Sequence, residues 1–297
     1  MMPVALYSFT HGADHAEALS LALGIPLAAV DVHRFPDGES RVSVPEAAST
    51  ALIYCPLDRP NEKLVDLMLV ADALRRGGAR RLVLVAPYLC YMRQDTAFNV
   101  GEAISQQAVA RFLSSLFDRI VTVDAHLHRV DDIAKVFPAI EAQNLGAAGT
   151  IAAFAAARGM GKGTLVVGPD AESIQWINRI AAALDAEAVA GAKHRIDDRR
   201  VEIIFPGTHI EGRTVLLADD IVSSGGTMTV AVESLSRAGA ASIFVVVTHA
   251  LFDAAAEMRI RAAGARDIWS TAAVPHPTNA IPLANLLADA LRNEMKQ

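Results

Sequence analysis

Short apolar runs punctuate the chain, and amphipathic stretches separate them. In the first half, Pro3–Ser8, Leu27–Val32, Arg41–Val44, Ala51–Cys55, Arg81–Ala86 and Arg119–Val123 read as strands. Most are continuously apolar rather than alternating, the pattern of strands covered on both faces in a parallel sheet. Between them lie predicted helices over Asp14–Leu23, from Pro60 to Gly77, and over Glu102–Leu116. The Pro60 helix sets Leu64, Leu67, Met68, Ala71 and Leu74 on one face. The stretch Asp131–Leu145 carries Pro138 and no sustained period, and Gly146 follows it. A domain boundary is expected there, giving domains 1–145 and 146–297. The second half repeats the rhythm. Helices are predicted over Ala147–Arg158, Glu172–Leu184, Thr227 to Gly239, Asp253–Ala263 and Leu283–Met295. Strands are predicted over Thr164–Val167, Ala186–Ala192, Val201–Phe205, Thr214–Ala218, Ser242–Thr248 and Asp267–Ser270. Such alternation predicts an α/β fold with a doubly wound, mostly parallel sheet, present twice.

The polar residues gather where these strands end, which is where open α/β sheets bind ligands. The strand at Thr214 is expected to stop at Asp219-Asp220, ahead of the small-residue loop Ser223-Ser224-Gly225-Gly226-Thr227. A glycine-led helix start offers unpartnered N–H groups to an anion. Carboxylates cannot hold a phosphate themselves, but they accept from sugar hydroxyls or hold a metal. The combination points to a sugar phosphate; a polar capped turn is the plainer alternative. Asp170 repeats the carboxylate-at-strand-end arrangement. If strand geometry persists past Val123, Asp124, His126 and His128 share one face, suited to a divalent ion or polyphosphate. His128 alone reads better as a surface residue. Arg93 and Gln94 are a possible clasp for a base or phosphate, or a solvated pair with Asp95. Lys193-His194-Arg195 opens the most basic segment, either a closing loop or a solvated hairpin. Phe35-Pro36-Asp37-Gly38-Glu39 reads as a turn between strands.

Composition narrows the classes. At 297 residues with 52% hydrophobic and 20% charged residues, the chain is core-rich and long enough for two domains. A net charge of −6 argues against a broadly basic nucleic-acid surface. Two cysteines, Cys55 and Cys90, form no CxxC pair, which removes a disulfide framework and a thiolate zinc site. No signal peptide or membrane-length apolar run is evident. A cytoplasmic protein with no nucleic-acid or membrane partner is the expectation.

Six segments, in order, resemble the ribose-phosphate diphosphokinase (PRPP synthetase) family. They are Phe35-Pro36-Asp37-Gly38-Glu39, Pro87-Tyr88 through Arg93-Gln94-Asp95, Val123-Asp124-Ala125-His126, Gly168-Pro169-Asp170, Lys193-His194-Arg195, and Asp219-Asp220 through Gly226-Thr227. The resemblance implies two phosphoribosyltransferase-like (type I) domains and transfer of the diphosphoryl group of ATP to the 1-hydroxyl of ribose 5-phosphate. It implies ribose 5-phosphate held by Asp219, Asp220, Ser223, Ser224, Gly225, Gly226 and Thr227. ATP would lie on Phe35, Asp37, Glu39, Arg93, Gln94 and Asp95, with Mg2+ near His126 and Asp170. Lys193 and Arg195 would be catalytic, on a mobile loop. Phe35, Asp37 and Glu39 would reach ATP bound to a neighbouring subunit, so a homo-oligomer is implied. The final helix would pack back on the first domain. Ser223-Ser224 departs from the Asp-Thr of many members and resembles archaeal ones. A PRPP-consuming phosphoribosyltransferase and a non-catalytic regulatory subunit are the competing readings. The first has no need of Arg93, His126 or the Phe35 turn. The second is expected to lack residues such as Lys193, Arg195, Asp219 and Asp220, which are all present.

Overall fold

The computed structural model describes residues 3–127, 129–195 and 201–296, with residues 193–195 and 201 described by backbone alone. The chain forms two compact units. The first comprises residues 1–145, 273–275 and 283–297, and the second residues 146–272 and 276–282.

In the first unit the elements run β1 (Val4–Ser8), α1 (Ala13–Leu23), β2 (Leu27–Ala29), β3 (Asp31–Arg34), β4 (Ser40–Ser43), β5 (Thr50–Tyr54), α2 (Pro60–Arg76), β6 (Arg81–Val85), α3 (Ser105–Ser114), β7 (Arg119–Val123), α4 (Ile133–Val136) and β8 (Glu141–Leu145). The sheet order is β2-β1-β5-β6-β7-β8, with every pair parallel. β1, β5 and β7 are buried at every position, which explains their unbroken apolar sequences. Leu52, Leu67, Leu74, Leu82, Phe117 and Phe137 fill the core. β3 and β4 form a separate antiparallel hairpin. The expected strand 27–32 is therefore two strands: Leu27–Ala29 pairs with β1, and the chain then leaves the sheet at Val30. The stretch 131–145, which shows no sustained period and holds the expected domain boundary, contains α4 and the edge strand β8. β8 shows only half-buried and exposed positions, so it lacked an apolar run to announce it.

The second unit runs α5 (Ala148–Ala156), β9 (Leu165–Gly168), α6 (Ile174–Leu184), β10 (Glu187–Ala190), β11 (Ala192–Arg195), β12 (Val201–Ile204), β13 (Thr214–Val222), α7 (Gly226–Arg237), β14 (Ser242–Ala250), α8 (Ala254–Ala262), β15 (Ala265–Thr271) and β16 (Asn279–Ile281). Its parallel sheet has the order β10-β9-β13-β14-β15-β16. Counting only sheet strands, this is the 2-1-3-4-5-6 order of the first unit. An antiparallel hairpin, β11–β12, again follows the second strand.

The last helix, α9 (Ala284–Leu291), belongs to the first unit and packs on α1. The turn after it carries Glu294, 1% exposed, between the guanidinium groups of Arg81 and Arg119, each at 2.7 Å. Burial alone raises a carboxyl pKa; these two cations overcome it and hold Glu294 below the usual glutamate range.

Candidate active site

In each sheet the topological switch point lies between its first and third strands, and ligands bind beyond the carboxyl ends there. In the second unit those strands are β9 and β13. β9 delivers Asp170, whose Oδ1 caps the following turn by accepting from Glu172 N at 3.2 Å. β13 does not stop at the acidic pair, as expected, but continues to Val222 along β14. Parallel pairing of Asp219 with Val247 and of Ile221 with His249 carries the strand past the carboxylates. Asp219 Oδ1 accepts from Asp220 N at 3.0 Å, and Asp220 Oδ1 from Ile221 N at 2.8 Å. Burial pushes the Asp219 carboxyl up, and the charges of Asp220 and Asp170 push it the same way. Negative charge is concentrated here.

Beyond Val222, Ser223 and Ser224 are exposed and Gly225 is buried. Gly225 has φ 76°, and a Cβ there would come within 3.0 Å of Ala256 Cβ, so the turn requires glycine. α7 starts at Gly226 rather than Thr227. Its first N–H groups face the end of the loop, with the positive end of the helix dipole behind them. Thr229 Oγ1 donates to Gly225 O at 2.9 Å, and Arg259 Nη2 of α8 donates to Ser224 O at 3.0 Å. Sequence reasoning assigned Arg259 no role; no motif marks a side chain that arrives from the next helix.

In the first unit the β3–β4 turn is closed by Phe35 N to Glu39 O at 2.8 Å and by Glu39 N to Asp37 Oδ1 at 3.0 Å. Phe35 is 41% exposed, with His33 edge-on at 4.7 Å. Asp37 and Glu39 line a cleft of about 620 Å³, whose opposite wall is Asn61, Glu62, Val65 and Leu69 of α2. The loop after β6 reaches the same helix, since Tyr91 OH donates to Asn61 Oδ1 at 2.5 Å. Two residues on, Arg93 is exposed. Gln94 Oε1 accepts from Ser105 Oγ at 2.8 Å, and Asp95 is engaged by Arg129 at 2.5 Å.

The expectation of one shared face for Asp124, His126 and His128 is not met. Asp124 has φ 40°, which ends strand geometry at Val123. Its N–H donates to Leu145 O at 2.8 Å, and Ala125 N donates to Asn144 Oδ1 at 2.9 Å. His126 is half-buried, and His128 lies outside the described residues. Lys193 and Arg195 sit in β11, their backbones paired with Ile203 and Val201; their side chains lie outside the description. Among the described residues, no three His, Cys, Asp or Glu side chains are grouped to hold a metal ion.

These features have close relatives. Residues 4–116 match the N-terminal domain of ribose phosphate pyrophosphokinase, and residues 139–263 match the phosphoribosyl transferase domain. A ribose-phosphate pyrophosphokinase of Methanopyrus kandleri is 35% identical, over 96% of this chain and 97% of its own. The chain belongs to the ribose-phosphate pyrophosphokinase family. The family member of Pyrococcus furiosus is 32% identical over 92% of this chain and 95% of its own. The crystal structure of phosphoribosylpyrophosphate synthetase from Mycobacterium smegmatis superposes with TM-score 0.84 at 25% identity, covering 99% of both chains. The archaeal relatives agree with the archaeal resemblance of the Ser223-Ser224 loop. Among the described residues, no helix is long and apolar enough to cross a membrane.

Proposed function

We infer that this chain is a working ribose-phosphate pyrophosphokinase, which moves the β,γ-diphosphoryl group of ATP to the 1-hydroxyl of ribose 5-phosphate and releases AMP and PRPP. The observation that carries this is the second unit's switch point, where an acidic pair and a glycine-led helix start stand together in a chain of this family. Asp219 and Asp220 accept hydrogen bonds from the ribose hydroxyls. The backbone of Ser223 to Thr227 holds the 5-phosphate through N–H groups and the helix dipole. With its ribose and phosphate fixed, the 1-hydroxyl is oriented for in-line attack, which is most of what phosphoryl transfer asks of a protein.

A divalent cation suits the donor set. Asp170, Asp219 and Asp220 bring three carboxylates together at the ends of β9 and β13. Mg2+ keeps waters and takes substrate phosphate oxygens beside one or two protein ligands. Asp170 and His126 are the residues assigned to it; when bound, Mg2+ neutralises charge on the transferred group. Phe35, Asp37, Glu39, Arg93, Gln94 and Asp95 hold ATP, and the exposure of Phe35 supports an ATP site completed by a second copy in a homo-oligomer. Lys193 and Arg195 supply positive charge to the diphosphoryl group as it transfers.

Incubation with ATP, Mg2+ and ribose 5-phosphate should release AMP and PRPP in equal amounts. No AMP across a wide range of Mg2+ and phosphate concentrations would sink the reading. PRPP consumption with a nucleobase and no AMP release would favour a phosphoribosyltransferase instead.

A further inference from the structure

We propose that Arg237, at the far end of the phosphate-loop helix, is a positioning residue that aims the β11–β12 hairpin through its ion pair with Glu202. The proposal rests on the reading above, which places catalysis on Lys193 and Arg195.

The hairpin's orientation needs a cause. Within the described residues β11 and β12 pair only with each other, so no ladder bonds join them to the parallel sheet. Two strands alone are marginal in water. Besides the packing of β12 on α7, three contacts among the described residues bear on how this pair is seated. Ile203 enters the core, 2% exposed. Gly191 precedes β11 and donates from its N–H to Gly168 O at 2.8 Å. A Cβ on it would stand 2.4 Å from Ile203 Cγ2 and 2.8 Å from Pro169 O, so the root of the hairpin lies against the segment that delivers Asp170. The third contact is Glu202 Oε1 with Arg237 Nη1, at 2.8 Å.

That third contact differs in kind from the others. Gly191 and Ile203 hold the base; Glu202 sits in β12 opposite the backbone of His194, between the pairs formed by Lys193 and Arg195. A cleft of about 470 Å³ opens beside it, walled by Phe205, His209, Ile210 and the C-terminal turn of α7. β12 packs along α7, and the ion pair lies at the edge of this cleft. Arg237 is pre-set for this, because its Nη2 donates to Ser234 Oγ at 3.3 Å and its Nε to Glu233 O at 3.4 Å. α7 is one unbroken helix of 12 residues, about 18 Å long. Its first turn forms the phosphate cradle and its last turn holds the hairpin.

The first unit has the same device with its charges reversed. There Arg34 of β3 pairs with Asp66 of α2 at 2.6 Å. In both units the hairpin after the second strand is tied to the helix after the third.

The test compares Arg237→Ala, Glu202→Ala and the charge-exchanged double variant Glu202→Arg/Arg237→Glu with the full-length parent. Hydrogen exchange over residues 192–204 should accelerate in each single variant. The kcat should fall roughly fivefold, the upper range for a partly exposed pair. The KM for ribose 5-phosphate should hold, and the double variant should recover most of both losses. Were Arg237 merely stabilising α7, the damage would appear at the phosphate cradle and KM would rise instead. A rising KM, unchanged hairpin exchange, or unchanged kcat overturns the proposal. A parent enzyme that releases no AMP defeats the catalytic reading alone, since hairpin exchange still reports on the clasp.

Discussion

Two halves of this chain carry the same sheet order, the same inserted hairpin and the same hairpin-to-helix ion pair, yet the turn after the third strand differs completely. Near its end β13 carries two carboxylates, followed by Gly225 in the left-handed region and Gly226 as the first residue of α7. After β5, Arg59 takes the left-handed conformation, with φ 46°, and Pro60 opens α2. Both turns enter their helix through a positive-φ residue, but proline has no N–H to offer an anion. Nor is the space left open: Lys63 Nζ donates to Pro56 O at 2.8 Å and to Asp58 Oδ1 at 2.6 Å, so the local charge is already satisfied. One frame carries the turn proposed to hold the sugar phosphate. The other presents a hairpin–helix cleft instead. The hairpins differ as well, with Lys193 and Arg195 on one and Asp37 and Glu39 at the tip of the other.

The largest effect is expected from Lys193→Ala, which tests whether charge transfer belongs to the second hairpin. Loss of one positive donor to the transferred group should lower kcat by about 100-fold with a much smaller change in KM. Steady-state kinetics with either substrate varied would show this, and near-normal turnover would remove Lys193 from the mechanism.

Gly226→Pro copies the first unit's turn into the second. Proline is well tolerated at the first position of a helix, and a Cβ on Gly226 would meet only Ser224 Oγ, at 3.8 Å. The helix should persist while the cradle loses one N–H. Ribose 5-phosphate binding should weaken by about 2 kcal/mol, the scale of a hydrogen bond to a charged group. Calorimetric titration measures it, with ATP binding as the internal control. Equal affinity in parent and variant would mean that the phosphate sits elsewhere.

How much of this contrast could be read from residues alone depends on range. The buried parallel strands announced themselves as apolar runs, and the acidic pair with its glycine loop marked locally the turn proposed to hold the phosphate. The turn after β5 has the proline and charges in plain view, but its kinship to the phosphate loop appears only once both sheets show one strand order. The left-handed Asp124, which takes His126 out of strand register, leaves no trace in an apolar pattern. Pairings across long separations are equally silent: Glu294 closes on Arg81 from 213 residues away, and Arg259 reaches Ser224 from the next helix.

Asp219→Asn separates stability from binding in the unit that kept its acids. Because the folded-state pKa of Asp219 is raised, the folded protein retains a proton that the unfolded chain has released above about pH 4. The unfolded state then binds fewer protons, so stability falls as pH rises through that window. The asparagine variant, free of Mg2+ and substrate, should melt a few degrees higher than its parent at neutral pH. The gap should close as pH falls below about 4, where the parent's carboxyl becomes protonated in both states. Ribose 5-phosphate affinity should drop in the same variant. A lower melting point at neutral pH would contradict the crowding of charge at this site.

The smallest effect is expected from Asp66→Asn, the first unit's counterpart of Arg237→Ala. Asp66 is buried, while Arg34 is 39% exposed and also lies 3.5 Å from Glu62, so removing one charge leaves the arginine a second partner. The β3–β4 hairpin should loosen only slightly. Because its tip carries the residues assigned to ATP, the loss should fall on the KM for ATP, raised roughly twofold to fivefold, with kcat unchanged. The two clasps would then divide the reaction, one setting ATP binding and the other turnover. A fall in kcat at constant KM for ATP would show instead that the first hairpin takes part in transfer, and the contrast between the two units would fail at that point.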